Sequence, residues 1–550
     1  MNKPLAFVLL AGCALFACAN GHGDAADLDG GSGFKPQDPP VGGCTMADQN
    51  SSSVGCDYYA IHMDGGFAAN NGCFVAFLAN TSSATTHVKA SFAGMAVDLA
   101  EHARIPSGSG RTLTYDAFDP GKGLEPGQVA ILFLAGPAAP LGTRTQANFN
   151  DPMGCPVTPA FSTLTQVHGT GRGMTFHIET DSPVVAYQML PYGGGSAAVT
   201  GATLLLPTTA WGKNYIAVNA YLAGAAPGMG TSSMNIVASQ NGTKVRLLPK
   251  VNVEPGGGLP GTKANTPVEY ELAAGEMVQF TQSAELTGSP VEADKPVAVF
   301  AGQPCLDVPV NVNYCDHAEQ QIPPIAAMGH EFVAAPYRQR STKKESVPWR
   351  IIGAVDGTQL TYSKYVGGPA TVGLGDVVEL TTSDAFSVRS QDAAHPFLLV
   401  GYMTGASSVD EGGYGDADFV RVVPTDQYLS RYVFFTDPSY PETNLVVTRK
   451  RGDAGYADVK LDCAGTLSGW QPLDADHEFT RIDLVRHDFQ GQNGCDNGRH
   501  EMLSTQPFGL TVWGWGSPET SIFTGYVSYG YPAGENVATL NDVVVPVTPR

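Results

Sequence analysis

The chain has 550 residues, room for several domains, and only 15% of them are charged. Its formal net charge of −21 repels phosphate, which excludes a nucleic-acid binder. Gly (65) and Pro (39) make up about 19% of the chain against roughly 12% on average, and long helical repeats are missing, so the class is all-β with many turns.

The first twenty residues, "MNKPLAFVLLAGCALFACAN", carry Lys3 and an apolar run from Leu5 to Ala17. This is a bacterial-type signal peptide, residues 1–18, and too short to span a bilayer. Two lipoprotein cleavage sites fit, "LAGC" ending at Cys13 and "LFAC" ending at Cys18. Cleavage before Cys18 leaves the eight later cysteines, an even set suited to pairing in an oxidising compartment, so Cys18 is the expected lipidated residue and Cys13 the alternative. A plain secretory signal is the simpler reading, and export follows either way. Residues 19–43 cannot bury apolar surface and read as a flexible tether.

Four phrases then recur. "FHIETDSPVVAYQ" carries Pro183, "VEADKPVAVFAGQPC" Pro296, "FSVRSQDAAHPFLLVGYM" Pro396 and "HEMLSTQPFGLTVWGWG" Pro507, a spacing of about 100–113 residues. Each shows an alternating strand, a polar turn, a proline and a continuous apolar strand, the pattern of a closing hairpin with a buried last strand. Upstream, "LLLPTTAWGKNYIAV", "QIPPIAAMGHEFVAA" and "VVPTDQYLSRYVFF" look like module openings. Asn241-Gly242 and Asp356-Gly357 predict two-residue hairpin turns between neighbouring strands. The expected architecture is four tandem β-sandwich-like modules of about 100–115 residues, 44–200, 201–318, 319–405 and 406–535, with a C-terminal tail at 536–550. A β-propeller built from paired blades is the alternative.

The segment "GQPCLDVPVNVNYCDHAEQQIPPIAAMGHEFVAAP", with "ASQNGTKVRL", "LAAGEMVQF", "LTGSPVEADKPVAVFAG" and "GYGDADFVRVVPTDQY", resembles the IgGFc-binding protein N-terminal domain family. The resemblance runs from about Gly55 to Tyr531 and is densest between Leu204 and Tyr428. It implies a secreted, disulfide-bearing β domain of the kind found in vertebrate mucus proteins and bacterial surface proteins. Fc binding is what the family name implies, and no short motif maps it onto particular residues.

Cys305 and Cys315 close a short loop and read as a disulfide worth roughly 2–3 kcal/mol, since a metal site wants C-x₂-C spacing or nearby histidines and His317 is the one close by. Cys463 and Cys495 are expected to pair. Cys44, Cys56, Cys73 and Cys155 form two further bridges of open connectivity. Asp410, Glu411, Asp416 and Asp418 offer carboxylates for structural Ca²⁺ on a Gly-rich loop, without EF-hand spacing; the plainer reading is a solvated inter-module loop. Asp316 and His317 stand at the equivalent junction one module earlier, which assigns these loops to module contacts. Trp513 and Trp515 share one face of a strand, as core filler or, if exposed, as a sugar-stacking pair. Arg451-Gly452-Asp453 reads as an integrin motif or as ordinary turn chemistry. The nucleophile elbow and the P-loop are absent from the sequence, and the His-Glu pairs at His330, His477 and His500 lack the second histidine of a metalloprotease.

The sequence thus points to a non-catalytic surface lipoprotein, bound to the outer membrane or cell surface by its lipid anchor alone. Its partner is an extracellular protein or glycan, and it needs no cofactor beyond the candidate Ca²⁺. A structural envelope or matrix component is one alternative. An extracellular polysaccharide hydrolase with two carboxylates about 5–10 Å apart is the other.

Overall fold

The computed structural model describes residues 43–44, 51–65, 72–137, 154–162, 165–194, 199–222, 231–310, 312, 314–409, 414–520 and 524–549. Strand occupies 49% of the chain and helix 5%, so the class is all-β.

The third repeat shows the plan most openly. One four-stranded antiparallel sheet runs in the order Glu331–Ala334, Phe386–Ser390, Thr358–Tyr362, Thr371–Val372. The other runs Val377–Thr382, Val347–Gly353, Phe397–Met403, Asp418–Arg421. Phe386–Ser390 and Phe397–Met403 flank the polar segment that ends in Pro396, and they lie in different sheets. In the other three repeats the same two halves are joined by one unbroken strand: Phe176–Leu190, Pro290–Leu306 and Arg499–Trp515.

The recurring phrase is therefore a bend rather than a hairpin. Its two arms never pair with each other; they run on through both layers. Gly55 faces Val184 while Asp57 faces Glu179, so the long strand steps out over residues 180–183. Residues 293–296 and 504–507 make the same excursion against Gly212/Asn214 and Leu429/Arg431. The proline sits at the exit of the step, where a missing N–H costs no ladder bond. Strands that change sheet at such corners build orthogonal sandwiches. Because the long strand ties both layers into one unit, the paired-blade propeller does not form.

The Asn-Gly and Asp-Gly turns are corners too. Gly242 and Gly357 hold φ of +63° and +75°, as the turn chemistry requires. Yet Ser232–Ala238 and Thr243–Leu247 do not pair with each other. They pair with opposite ends of the same long strand, through Val237↔Ala298 and Leu247↔Val291.

Each long strand, and Phe397–Met403 in its place in the third repeat, is followed by one more strand: Gly201–Leu205, Asp316–Ile322, Asp418–Arg421 or Ser528–Pro532. We call these the axial strands. Each pairs back onto the long strand before it. The boundaries expected at 201, 319 and 406 thus fall beside or within strands that belong to the preceding repeat. The supposed module openings are crossings between repeats: axial strand, proline, one 3₁₀ turn, then the next repeat's first strand. A Cβ on Gly55, Gly212 or Gly329 would lie 2.2–2.4 Å from Pro207, Pro324 or Pro424, so glycine is needed where consecutive repeats touch.

The axial strands pack in a closed cycle. The first lies against the second and the fourth, and the third against the same two. Ser53 N–H donates to the Glu535 carbonyl at 2.8 Å and Val537 N–H to the Ser51 carbonyl at 2.8 Å, joining the last repeat to the first. Apolar cores are shared between neighbours. One contains Phe77, Tyr187, Tyr432 and Val512, from the first and fourth repeats. A second adds Phe300 to Phe74 and Phe176. A third joins Tyr221 to Leu398 and Tyr402, and a fourth joins Trp349 to Trp513 and Trp515. Residues 36–550 accordingly form one compact unit, not a rod of beads.

The segment expected as a tail is a strap. Asn541 Nδ2 donates to the carbonyls of Ile325 (2.8 Å) and Met328 (3.0 Å), Asn214 and Val545 exchange two hydrogen bonds of 2.8 Å, and Val547 is fully buried.

Candidate functional site

The "CDHAEQQIPP" stretch lies at the centre of the ring. Strand alternation sends Asp316 and Gln320 to one face of their strand and His317, Glu319 and Gln321 to the other. Asp316 accepts from Thr200 N–H (2.6 Å) with one oxygen and from the N–H and hydroxyl of Ser528 (2.8 and 2.9 Å) with the other, so one carboxyl spans three repeats. Gln320 Nε2 donates to the Ala202 and Gly530 carbonyls at 3.1 and 3.0 Å. Gln321 accepts from Leu206 N–H at 2.7 Å, and its carbonyl accepts from Arg421 Nε at 2.7 Å. Arg421 then forms a two-pronged pair with Glu535, both almost wholly buried. His317 Nε2 lies 3.6 Å from Glu319 Oε2, which accepts from Gln188 Nε2 at 2.8 Å.

Asp416 and Asp418 belong to this seam. Both are buried, which overturns the solvated-loop reading for these two. Asp410 and Glu411 lie outside the described residues. Asp416 Oδ1 accepts from Ala406 and Ala417 N–H at 3.0 and 2.9 Å, and Asp418 Oδ1 from Phe419 N–H at 2.6 Å. Burial pushes the Asp416 carboxyl up to about 8, with backbone donors and Arg340 pulling the other way. It also pushes Asp316 and Asp418 well above the ordinary aspartate range. At mildly acidic pH Asp416 therefore holds its proton in the folded chain. Calcium wants six or more oxygens in one shell. Among the described residues, three side-chain donors lie within 4.8 Å of one another at Asp462, Cys463 and His500 alone, and there the sulfur is bonded to Cys495. Among the described residues of the Ca²⁺ expectation, Asp416 and Asp418 are in no such group of three.

Trp513 and Trp515 are buried at 5% and 0% exposure, so neither face is open to a sugar. The third repeat covers them. Tyr337 sits 5.0 and 5.8 Å from the two rings, and the Arg338 guanidinium lies 5.0 Å over Trp515. The disulfides join Cys305 to Cys315, Cys463 to Cys495, Cys44 to Cys56 and Cys73 to Cys155. Cys13 and Cys18 lie outside the described residues.

The bonds among Thr200, Asp316, Asp416 and Ser528 place the starts of the axial strands at one end of the ring. The loops that lead into those strands gather there. Gly405 N–H meets the Val308 carbonyl, and Gly415 N–H the Gly525 carbonyl, each at 2.7 Å. At this pole Tyr314, 53% exposed and held at φ +73°, stacks on Tyr526 with ring centres 4.4 Å apart. Leu222, bonded through its carbonyl to Gln303, is also exposed. Asp307, pushed up to about 6 by burial, lies on the same side. The sequence reading missed this pole, although a tyrosine next to the cysteine of a short loop was its one local sign.

The ring of sandwich-like repeats, its four disulfides and its solvent-closed polar centre define a β protein built for an oxidising, extracellular setting. The sequence model of the family described as IgGFc binding protein matches residues 201–514, more than half of the chain, and the chain belongs to that family. It is 27% identical over 320 residues to the human IgGFc-binding protein, a stretch that covers 57% of this chain and 5% of the human protein. Among the described residues, no helix is long and apolar enough to cross a membrane.

Two outcomes test the seam. Arg421→Met strands Glu535 and should lower unfolding free energy by about 3–5 kcal/mol, while the double change Arg421→Met with Glu535→Leu should recover most of it in chemical denaturation. The second concerns pH. Between the ordinary aspartate range and about 8 the folded chain binds protons that the unfolded chain has released, so stability falls as pH rises through that window. Asp416→Asn, which mimics the protonated acid, should raise the thermal midpoint at pH 8 and change it little at pH 5.

Proposed function

We propose that the chain is a non-catalytic extracellular binding protein that recognises a partner protein through the pole around Tyr314. The exposed Tyr314, stacked on the half-buried Tyr526, carries this reading. Stacked tyrosines offer large contact area at low entropy cost, on loops fixed by a rigid base. Family membership supports protein binding, because the human relative's name says that it binds IgG Fc. The axial acids favour no hydrolase: Asp316, Glu319, Asp416 and Asp418 are closed to substrate. A ring with shared cores also departs from the extended spacer of a matrix role.

The test flows human IgG Fc, a panel of mucus and matrix glycoproteins, and a glycan array over the purified chain. A protein partner should lose about tenfold or more in affinity with Tyr314→Ala. Blank protein arms, a glycan-only response, or binding indifferent to Tyr314→Ala counts against this face.

The apolar run ending in "LFAC" supports attachment to the cell surface through a lipidated Cys18, and hence adhesion. Labelling with a palmitate analogue in a bacterial host should mark the chain and be lost in Cys18→Ser. Label retained in that variant but lost in Cys13→Ser would move the anchor to Cys13.

A further inference from the structure

The loop leaving Glu442–Lys450 carries Arg451-Gly452-Asp453 at its tip. Gly452 and Gly455 each donate N–H to the other's carbonyl at 3.0 Å, which makes Asp453 and Ala454 the two tip residues. Arg451 is pinned just before the turn, its N–H donating to the Asp476 carbonyl at 2.7 Å. The fold accounts for the glycine, since a Cβ on Gly452 would lie 2.4 Å from Gln506 Nε2.

It does not account for the two residues beside it. Arg451 and Asp453 are both exposed. Among the described residues neither side chain joins an ion pair or hydrogen bond, and the Arg451 guanidinium merely lies 6.0 Å from the Tyr456 ring. An aspartate placed for turn chemistry accepts from the N–H two residues on. Asp119, Asp437 and Asp474 do so at 2.8–2.9 Å, from Gly121, Ser439 and Asp476. Asp453 does not, so turn chemistry leaves its carboxylate unexplained. The tip is also remote from the tyrosine pole. Glu442 pairs with Trp515 at the polar end of the long strand, and Arg449 pairs with Phe508 at its bend, seven residues or roughly 23 Å away at 3.3 Å per residue.

We propose that this tip is a recognition loop for a cell-surface receptor that holds a divalent cation at its own surface. The Asp453 carboxylate, with all its lone pairs free, completes the shell of that hard cation. The Arg451 guanidinium, on the other side of Gly452, pairs in two-pronged fashion with a receptor carboxylate. Gly452, packed on Gln506, is the single residue between the two.

The test immobilises the full chain and flows over it the soluble ectodomain of an Arg-Gly-Asp-binding integrin, in Mg²⁺ and again in EDTA. Binding in Mg²⁺ is expected. It should fall about tenfold or more in EDTA, with excess Arg-Gly-Asp-Ser peptide, and in Asp453→Glu, which keeps the charge but moves it by one methylene. Among the described residues Asp453 has no hydrogen-bond or ion-pair partner in the body, so the thermal midpoint of that variant should match the parent. Tyr314→Ala should leave this binding unchanged, which separates it from the pole. No binding in Mg²⁺, binding that survives EDTA, or equal binding by Asp453→Glu overturns the proposal.

Discussion

Four strands that meet on an axis without sharing a ladder leave their backbone groups to be satisfied by side chains. This constraint governs the molecule. A buried N–H or carbonyl without a partner costs a few kcal/mol, so the axial positions must carry groups of fixed reach and sign. Asp316 supplies acceptors to Thr200 and Ser528, Gln320 supplies donors to Ala202 and Gly530, and Arg421 serves both Gln321 and Glu535. Each bond crosses from one repeat to another. A repeat taken out of the ring exposes these groups to water and orphans those of its neighbours.

The apolar cores obey the same logic. Val237, Ala298 and Phe300 of the second repeat lie in the core of the first, and Val446 and Trp513 of the fourth lie in the core of the third. Beside one core held within the second repeat, each core draws on two neighbouring repeats, and the last neighbour of the fourth repeat is the first. Closure joins residues hundreds of positions apart, such as Ser53 with Glu535. Such contacts carry a high loop-closure cost in folding. The strap at 537–549 adds Val537 and Val545 to two of these cores, and the disulfides Cys73–Cys155 and Cys463–Cys495 are packed in or against the first.

This division explains what was legible in the chain. The proline-led phrase has a local cause, since proline tolerates a step where no N–H is needed, and its spacing marked four repeats. The glycines of Asn241-Gly242 and Asp356-Gly357 announced positive φ and delivered it. A hairpin and a corner need the same turn, however, so composition could not say whether the two arms pair with each other or with a third strand. Burial of Trp513 and Trp515 depends on Tyr337 and Arg338 of another repeat, a contact no window of sequence contains. The Asp316 and Asp416–Asp418 segments were readable as junctions because they stand at equivalent places one repeat apart. Their burial was not, because acids in a Gly-rich setting look solvated, and the neighbours that cover Asp416 and Asp418 come from other repeats.

A binding face gains from such a base. Ordering a flexible loop on association subtracts from affinity, and a scaffold fixed by buried polar bonds reduces that loss. Tyr314 is held by a disulfide-bonded loop on one side and the Tyr526 ring on the other, so its contact surface is set before a partner arrives. The Arg451–Asp453 tip is set in the same way by the paired glycines below it. The same burial that fixes the base also lifts the Asp416 carboxyl, so the contribution of that one buried group to stability falls as pH rises through its window.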